Sequence, residues 1–89
     1  MKKLVNVTEV EGEGLVALMS EKVLLICMNY FYAGKLVGVN DEFVLLEDAQ
    51  LVYESGPWDK TTWQDAQKLP NGVWYIKTTA IESFGKSNR

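Results

Sequence analysis

The chain contains no histidine, a single cysteine and two prolines in 89 residues. Without histidine it lacks the commonest general base near neutral pH and the commonest metal ligand. One cysteine excludes an intrachain disulfide and fits a reducing compartment. Cys27 lies in the run Val23-Leu24-Leu25-Ile26-Cys27-Met28, where a thiol is expected to act as a small core residue rather than a nucleophile. This is also the longest uninterrupted apolar stretch, far short of the roughly 20 residues that cross a bilayer as a helix. Met1-Lys2-Lys3 has the charged opening of a signal peptide, but Asn6, Thr8, Glu9, Glu11 and Glu13 prevent an apolar stretch from forming after it. A soluble, cytoplasmic protein with no membrane partner is expected.

An excess of positive charge is missing as well. Nine Lys and Arg stand against twelve Asp and Glu, for a net charge of −3. Lys2, Lys3, Lys22, Lys35, Lys60, Lys68, Lys77, Lys86 and Arg89 are scattered along the chain, with no continuous basic stripe. This argues against indiscriminate binding to a phosphate backbone, which needs clustered cations. Ser20, Ser55 and Ser83 lack a nucleophile-elbow setting. Gly12-Glu13-Gly14 is too short for a phosphate loop. The carboxylate pairs Asp41-Glu42 and Glu47-Asp48 read as solvated turn residues rather than a Ca²⁺ or Mg²⁺ site, because neighbours in a strand point to opposite faces. No catalytic residue, metal or cofactor is expected, and the chain is not read as an enzyme.

The residues that are present suit one small globular domain. The apolar fraction is 47% and the charged fraction 24%, ordinary values for a folded chain. A domain of this size buries only roughly 60–65% of its unfolded surface, so subunit contacts are a plausible supplement to a thin core. Residues 1–11 alternate weakly and are expected to form an arm. Leu15, Leu18 and Met19 fall on one side at helical spacing, predicting a short N-terminal helix over 15–19, with Glu11 and Glu13 suited to its start by charge. The stretch 22–54 is strand-rich: 23–28, then 30–39, then 43–46, then 51–53, with turns at Asn29, Asn40-Asp41 and Glu47-Asp48-Ala49. Gly34 and Gly38 inside the second strand predict a bulge or sharp bend, as a small barrel needs in order to close.

Residues 55–72 interrupt this pattern. Ser55-Gly56-Pro57 breaks the strand, and Asp59–Leu69 is predicted as a helix, opened by a Thr61–Gln64 or Thr62–Asp65 capping box and stopped by Pro70. Trp63, Ala66 and Leu69 would share one side of it. Two strands, 73–78 and 80–84, come next, and residues 85–89 are expected to be a mobile tail. A short helix before a strongly bent sheet leaves Sm-like, SH3-like and OB-type barrels as the common solutions.

The segment Gly34-Lys35-Leu36-Val37-Gly38-Val39-Asn40-Asp41-Glu42-Phe43-Val44-Leu45-Leu46 resembles the first Sm motif, in its bacterial Hfq-type form. Lys77-Thr78-Thr79-Ala80-Ile81-Glu82-Ser83-Phe84 resembles the second. The resemblance covers residues 12–54 and 73–84, and nearly the whole chain is similar to Sm-like sequences of phage and marine-metagenome type. It implies a mainly β fold: a five-stranded, strongly bent antiparallel barrel with a short N-terminal helix, here with a helical insertion before the last strands. It also implies a homo-oligomeric ring of about five to seven subunits, in which the fourth strand of one subunit pairs with the fifth of the next. The interface would then involve Leu51, Val52 and Tyr53 on one edge, Ile81 and Phe84 on the other. If the source is a phage, the compartment is the host cytoplasm.

Sm-like rings commonly bind single-stranded RNA, and the resemblance places the pocket at Asn40, Glu42, Lys77 and Thr78. The pattern is degraded. Glu42 stands at the stacking position, Val44 where eukaryotic members have Asn, and Thr78-Thr79 where the bacterial form has a Lys-His pair. The aromatics Tyr30, Phe31, Tyr32, Tyr53, Trp58, Trp63, Trp74 and Tyr75 could form a nucleobase-stacking surface, but core and interface packing is the reading adopted. Two functions are open: an RNA-associated ring with a weakened pocket, or a structural, protein-interacting ring without nucleic acid.

Overall fold

The computed structural model describes residues 14–89; the arm expected over residues 1–11, with Glu11 and Glu13, lies outside them. Over the described residues the fold is mainly β, a single antiparallel sheet of six strands. They are β1 (Lys22–Cys27), β2 (Phe31–Val39), β3 (Phe43–Glu54), β4 (Asp65–Lys68), β5 (Val73–Lys77) and β6 (Ile81–Lys86). The order across the sheet is β4-β3-β2-β1-β6, and β5 also pairs with β3. β3 is therefore the spine: its first half bonds β5 from Phe43↔Lys77 to Glu47↔Val73, its second half bonds β4 from Gln50↔Lys68 to Glu54↔Asp65. The sheet is bent but not closed, since β5 and β6, its outer strands on either side of the bend, are not paired with each other.

β1 explains the uninterrupted apolar run. Val23, Leu25 and Cys27 face one core with Leu36, Val44, Leu46, Ala49 and Ile76, while Leu24 faces a second with Ala33 and Val52. A strand covered on both sides reads as continuous rather than alternating hydrophobicity. Cys27 is a buried core residue, as its setting in the sequence implies.

The bend sits where β2 and β3 lose register. Ala33 pairs with Gln50 but Lys35 with Glu47, so β3 carries an extra residue opposite Gly34. Asp48 in this bulge adopts φ 54°. A Cβ on Gly34 would stand 3.0 Å from the Glu47 carbonyl oxygen and 3.2 Å from both Ala49 Cα and Leu46 Cβ, so the bare glycine is what lets the two backbones approach. Glu47-Asp48-Ala49, expected as a turn between two strands, is thus a bulge within one twelve-residue strand. Bulge and turn use the same residue types, because both need a left-handed or strained backbone.

The predicted helices differ most. Leu15–Leu18 forms one 3-10 turn, with no side-chain cap and no acidic residue in its first turn. Met19 is already extended and Ser20 has φ 72°, so the chain leaves before an α-helix can propagate; nucleation is the unfavourable step. Leu15 and Leu18 still pack on the main core, as their spacing implies. The expected helix 59–69 is absent: residues 58–64 are turns, bends and irregular chain, and 65–68 form β4. The exposed backbone of the second half of β3 offers a hydrogen-bonding template that outweighs a short, weakly amphipathic helix. Trp63 and Ala66 nevertheless pack together, against the second core on the outer face of the sheet.

Residues 85–89 are bound to the fold rather than detached from it. Gly85 and Lys86 belong to β6, and the Ser87 amide donates to the Lys22 carbonyl at 2.9 Å. The Arg89 guanidinium donates to the carbonyls of Ser55 at 2.9 Å and Thr62 at 3.0 Å and lies 4.0 Å from the Trp63 ring centroid. Arg89 thereby staples the 55–64 loops to the outer face.

Candidate functional site

The β2–β3 turn is built by Asn40. Its side-chain oxygen accepts from the Glu42 and Phe43 amides, each at 2.8 Å, while its own amide donates to the Phe43 carbonyl at 2.9 Å. Asn in this position replaces a backbone turn bond with its own short side chain. A 3-10 turn, Thr78–Ala80, joins β5 to β6, and Thr78 docks it on the first turn. The Thr78 amide donates to the Glu42 carbonyl at 2.9 Å, and its hydroxyl donates to the Asp41 carbonyl at 2.8 Å. Lys77 pairs with Phe43 in register and is exposed. Asn40, Glu42, Lys77 and Thr78, far apart in sequence, therefore meet at one end of the sheet.

Their chemical capacity is narrower than their proximity suggests. The Asn40 oxygen is engaged by two backbone amides and the Thr78 hydroxyl by a backbone carbonyl. Both serve the turns. Glu42 and Lys77 are left with exposed charges of opposite sign. Val44 is fully buried in the main core, so no ligand reaches its side chain. Among the described residues no group of three His, Cys, Asp or Glu comes together to hold a metal.

Beside this cluster lies an aromatic pair of which the sequence reading weighed only Tyr75 as a stacking residue. Phe43 and Tyr75 meet edge to face, ring centroids 5.8 Å apart, and Tyr75 is 64% exposed. Parity along β3 held the signal: Val44 and Leu46 face the core, so Phe43 and Leu45 face outward. At the opposite end of β3, Tyr53 and Tyr30 form a second edge-to-face pair, and the Tyr53 hydroxyl donates to Gln67 Oε1 at 3.2 Å.

The expected interface residues divide. Leu51 and Val52 are not on an open edge: each is bonded to β2 on one side and β4 on the other, Leu51 to Tyr32 and Gln67, Val52 to Phe31 and Ala66. The inserted segment has filled that edge from within the chain. Tyr53 remains exposed. Ile81 packs partly against the main core, whereas Phe84 is exposed on β6.

Two groups are tuned by burial. The Cys27 thiol is raised above its ordinary value by desolvation and then by the Glu82 carboxylate, and the Tyr32 phenol is raised by desolvation and then by Cys27 and Tyr30. Both shifts favour the neutral form, so Cys27 is not a thiolate nucleophile at neutral pH. Among the described residues no helix is long and apolar enough to cross a membrane. Comparison with known proteins finds no matching family model, no matching curated protein and no matching solved structure.

Proposed function

We propose that this chain is an Sm-like subunit that assembles edge to edge into a closed homo-oligomer, with an RNA-associated site of low affinity at the joined turns. The observation that carries the reading is the state of β5 and β6. Among the described residues each is bonded along one side only, β5 to β3 and β6 to β1. The two strands are consecutive, joined by the 3-10 turn, and expose Val73, Tyr75 and Phe84. An unpaired strand with apolar side chains is a liability unless another strand covers it. β4, the remaining outer strand, is blunted in the usual manner: four residues long, with Asp65 and Lys68 at its ends. Head-to-tail pairing of β5 with a neighbour's β6 would satisfy both exposed edges and repeat around a ring. In this arrangement β5 and β6 take the places of the fourth and fifth Sm strands, and the inserted β4 is extra.

The RNA-associated part rests on the gathering of Asn40, Glu42, Lys77 and Thr78 next to the Phe43–Tyr75 pair. Two of the four polar side chains are committed to turn structure, and Glu42 opposes phosphate. Affinity is therefore weak, and a structural ring is the alternative if none is found. Sedimentation velocity at micromolar concentration tests the assembly: a single species of about five to seven subunits is expected. Tyr75→Lys combined with Phe84→Lys should shift it to monomer with an unchanged circular dichroism spectrum. A monomeric parent protein overturns the proposal.

A further inference from the structure

The cations that are scattered in sequence do not stay scattered in space. Lys22 on β1 and Lys35 on β2 are direct cross-strand partners. Lys68 on β4 is the partner of Gln50, which is the partner of Ala33 on β2. Alternation puts all three lysines on the outer face, two residues from Leu24, Ala33 and Ala66 of the second core. Lys22, Lys35 and Lys68 line one cavity of about 280 Å³ together with Arg89, Gln50 and a single carboxylate, Asp48. Four of the nine Lys and Arg residues thus converge in a protein of net charge −3.

The local arrangement brings like charges together without an ion-pair partner. Like charges directly opposite on adjacent strands repel, yet Lys22 faces Lys35. Among the described residues none of the three lysines forms an ion pair, and Glu47, the other cross-strand neighbour of Lys35, does not supply one. Arg89 is fixed by backbone carbonyls, which neutralise none of its charge. The cavity offers long, flexible ammonium groups around a polar amide, on the face opposite the main core and away from the turn cluster.

We propose that this cavity is an anion site for a compact phosphate group, of the size of a di- or triphosphate, carried by a free nucleotide or by the 5′ end of an RNA. Three mobile ammonium groups around the Gln50 amide suit several phosphate oxygens at close range. The size of the cavity and the confinement of the cations to one place suit a compact group better than an extended backbone, which needs a stripe.

Titration calorimetry of the full chain with inorganic tripolyphosphate provides the test. Saturable binding that weakens with added salt is expected, with at least a tenfold loss in Lys22→Gln/Lys68→Gln and no change in Lys60→Gln, an exposed lysine that does not line the cavity. Both substituted lysines are exposed, and removing one member of the Lys22–Lys35 pair should leave the melting temperature unchanged or raise it. Short oligoribonucleotides with a 5′-triphosphate or a 5′-hydroxyl separate the two sources: preference for the triphosphate end assigns an RNA terminus, equal affinity for nucleoside triphosphate assigns a free nucleotide. Absence of tripolyphosphate binding, binding indifferent to Lys22 and Lys68, or equal binding of the 5′-hydroxyl oligonucleotide through these lysines overturns the proposal.

Discussion

The Thr78 hydroxyl donates to the Asp41 carbonyl at 2.8 Å, joining a turn near the C-terminal end of the fold to one 37 residues earlier. With the Thr78 amide on Glu42, this bond holds the β5–β6 turn over the β2–β3 turn. Thr78→Val keeps the shape and removes the donor, and should cost about 0.5–1.5 kcal/mol. Urea denaturation measures the loss, and faster hydrogen exchange at the Thr78 amide locates it. Thr78→Ser should restore most of the stability.

The insertion depends on Arg89. Its guanidinium bridges the Ser55 and Thr62 carbonyls and lies over Trp63, with Trp58 at 5.3 Å. Arg89→Ala should destabilise by about 1–3 kcal/mol, combining lost charge-assisted hydrogen bonds with a lost cation–π contact. Tryptophan fluorescence should shift to longer wavelength as the 55–64 loops open. Arg89→Lys retains the charge but not the planar fork, and should recover only part of the effect.

Burial of Cys27 sets a pH dependence. Its folded-state pKa is raised by desolvation and Glu82, so the native state holds its proton to higher pH than the unfolded chain does. The associated stability is complete below the ordinary thiol value of about 8.5 and declines as pH rises through the higher folded value. Tyr32, raised in the same sense, extends the decline to higher pH. Denaturation midpoints should therefore fall on the alkaline side, less steeply in Cys27→Ala than in the parent protein. Alkylation of the thiol should be slow in buffer and fast in denaturant.

RNA affinity at the turn cluster should be weak and adjustable. Glu42→Gln removes a carboxylate from the turn cluster and should strengthen binding of a short U-rich RNA, most visibly at low salt. Lys77→Ala should weaken it. Phe43→Ala, which removes an outward ring, should cost roughly 1–3 kcal/mol if a base stacks there. Fluorescence anisotropy at two salt concentrations reads all three; tight binding of the parent protein, indifferent to Lys77 and Phe43, would place the RNA elsewhere.

Sequence alone determined the β character, the turns at Asn29 and Asn40-Asp41, the bend at Gly34 and the buried role of Cys27. These are local properties: apolar periodicity, turn chemistry and the absence of a side chain act over a few residues. The tertiary structure decided the rest. Asp48 could have opened a turn or a bulge, and β2, by continuing alongside β3, made it a bulge. Residues 59–69 carried a weak helical signal, and the open backbone of β3 drew 65–68 into a strand. That pairing closed the edge at Leu51–Val52 and, among the described residues, left β5 and β6 as apolar edges bonded on one side only. The meeting of Asn40 with Thr78, and of Lys22 and Lys35 with Lys68, has no local signature, because strand register, a cooperative property of the whole sheet, sets which distant side chains share a face.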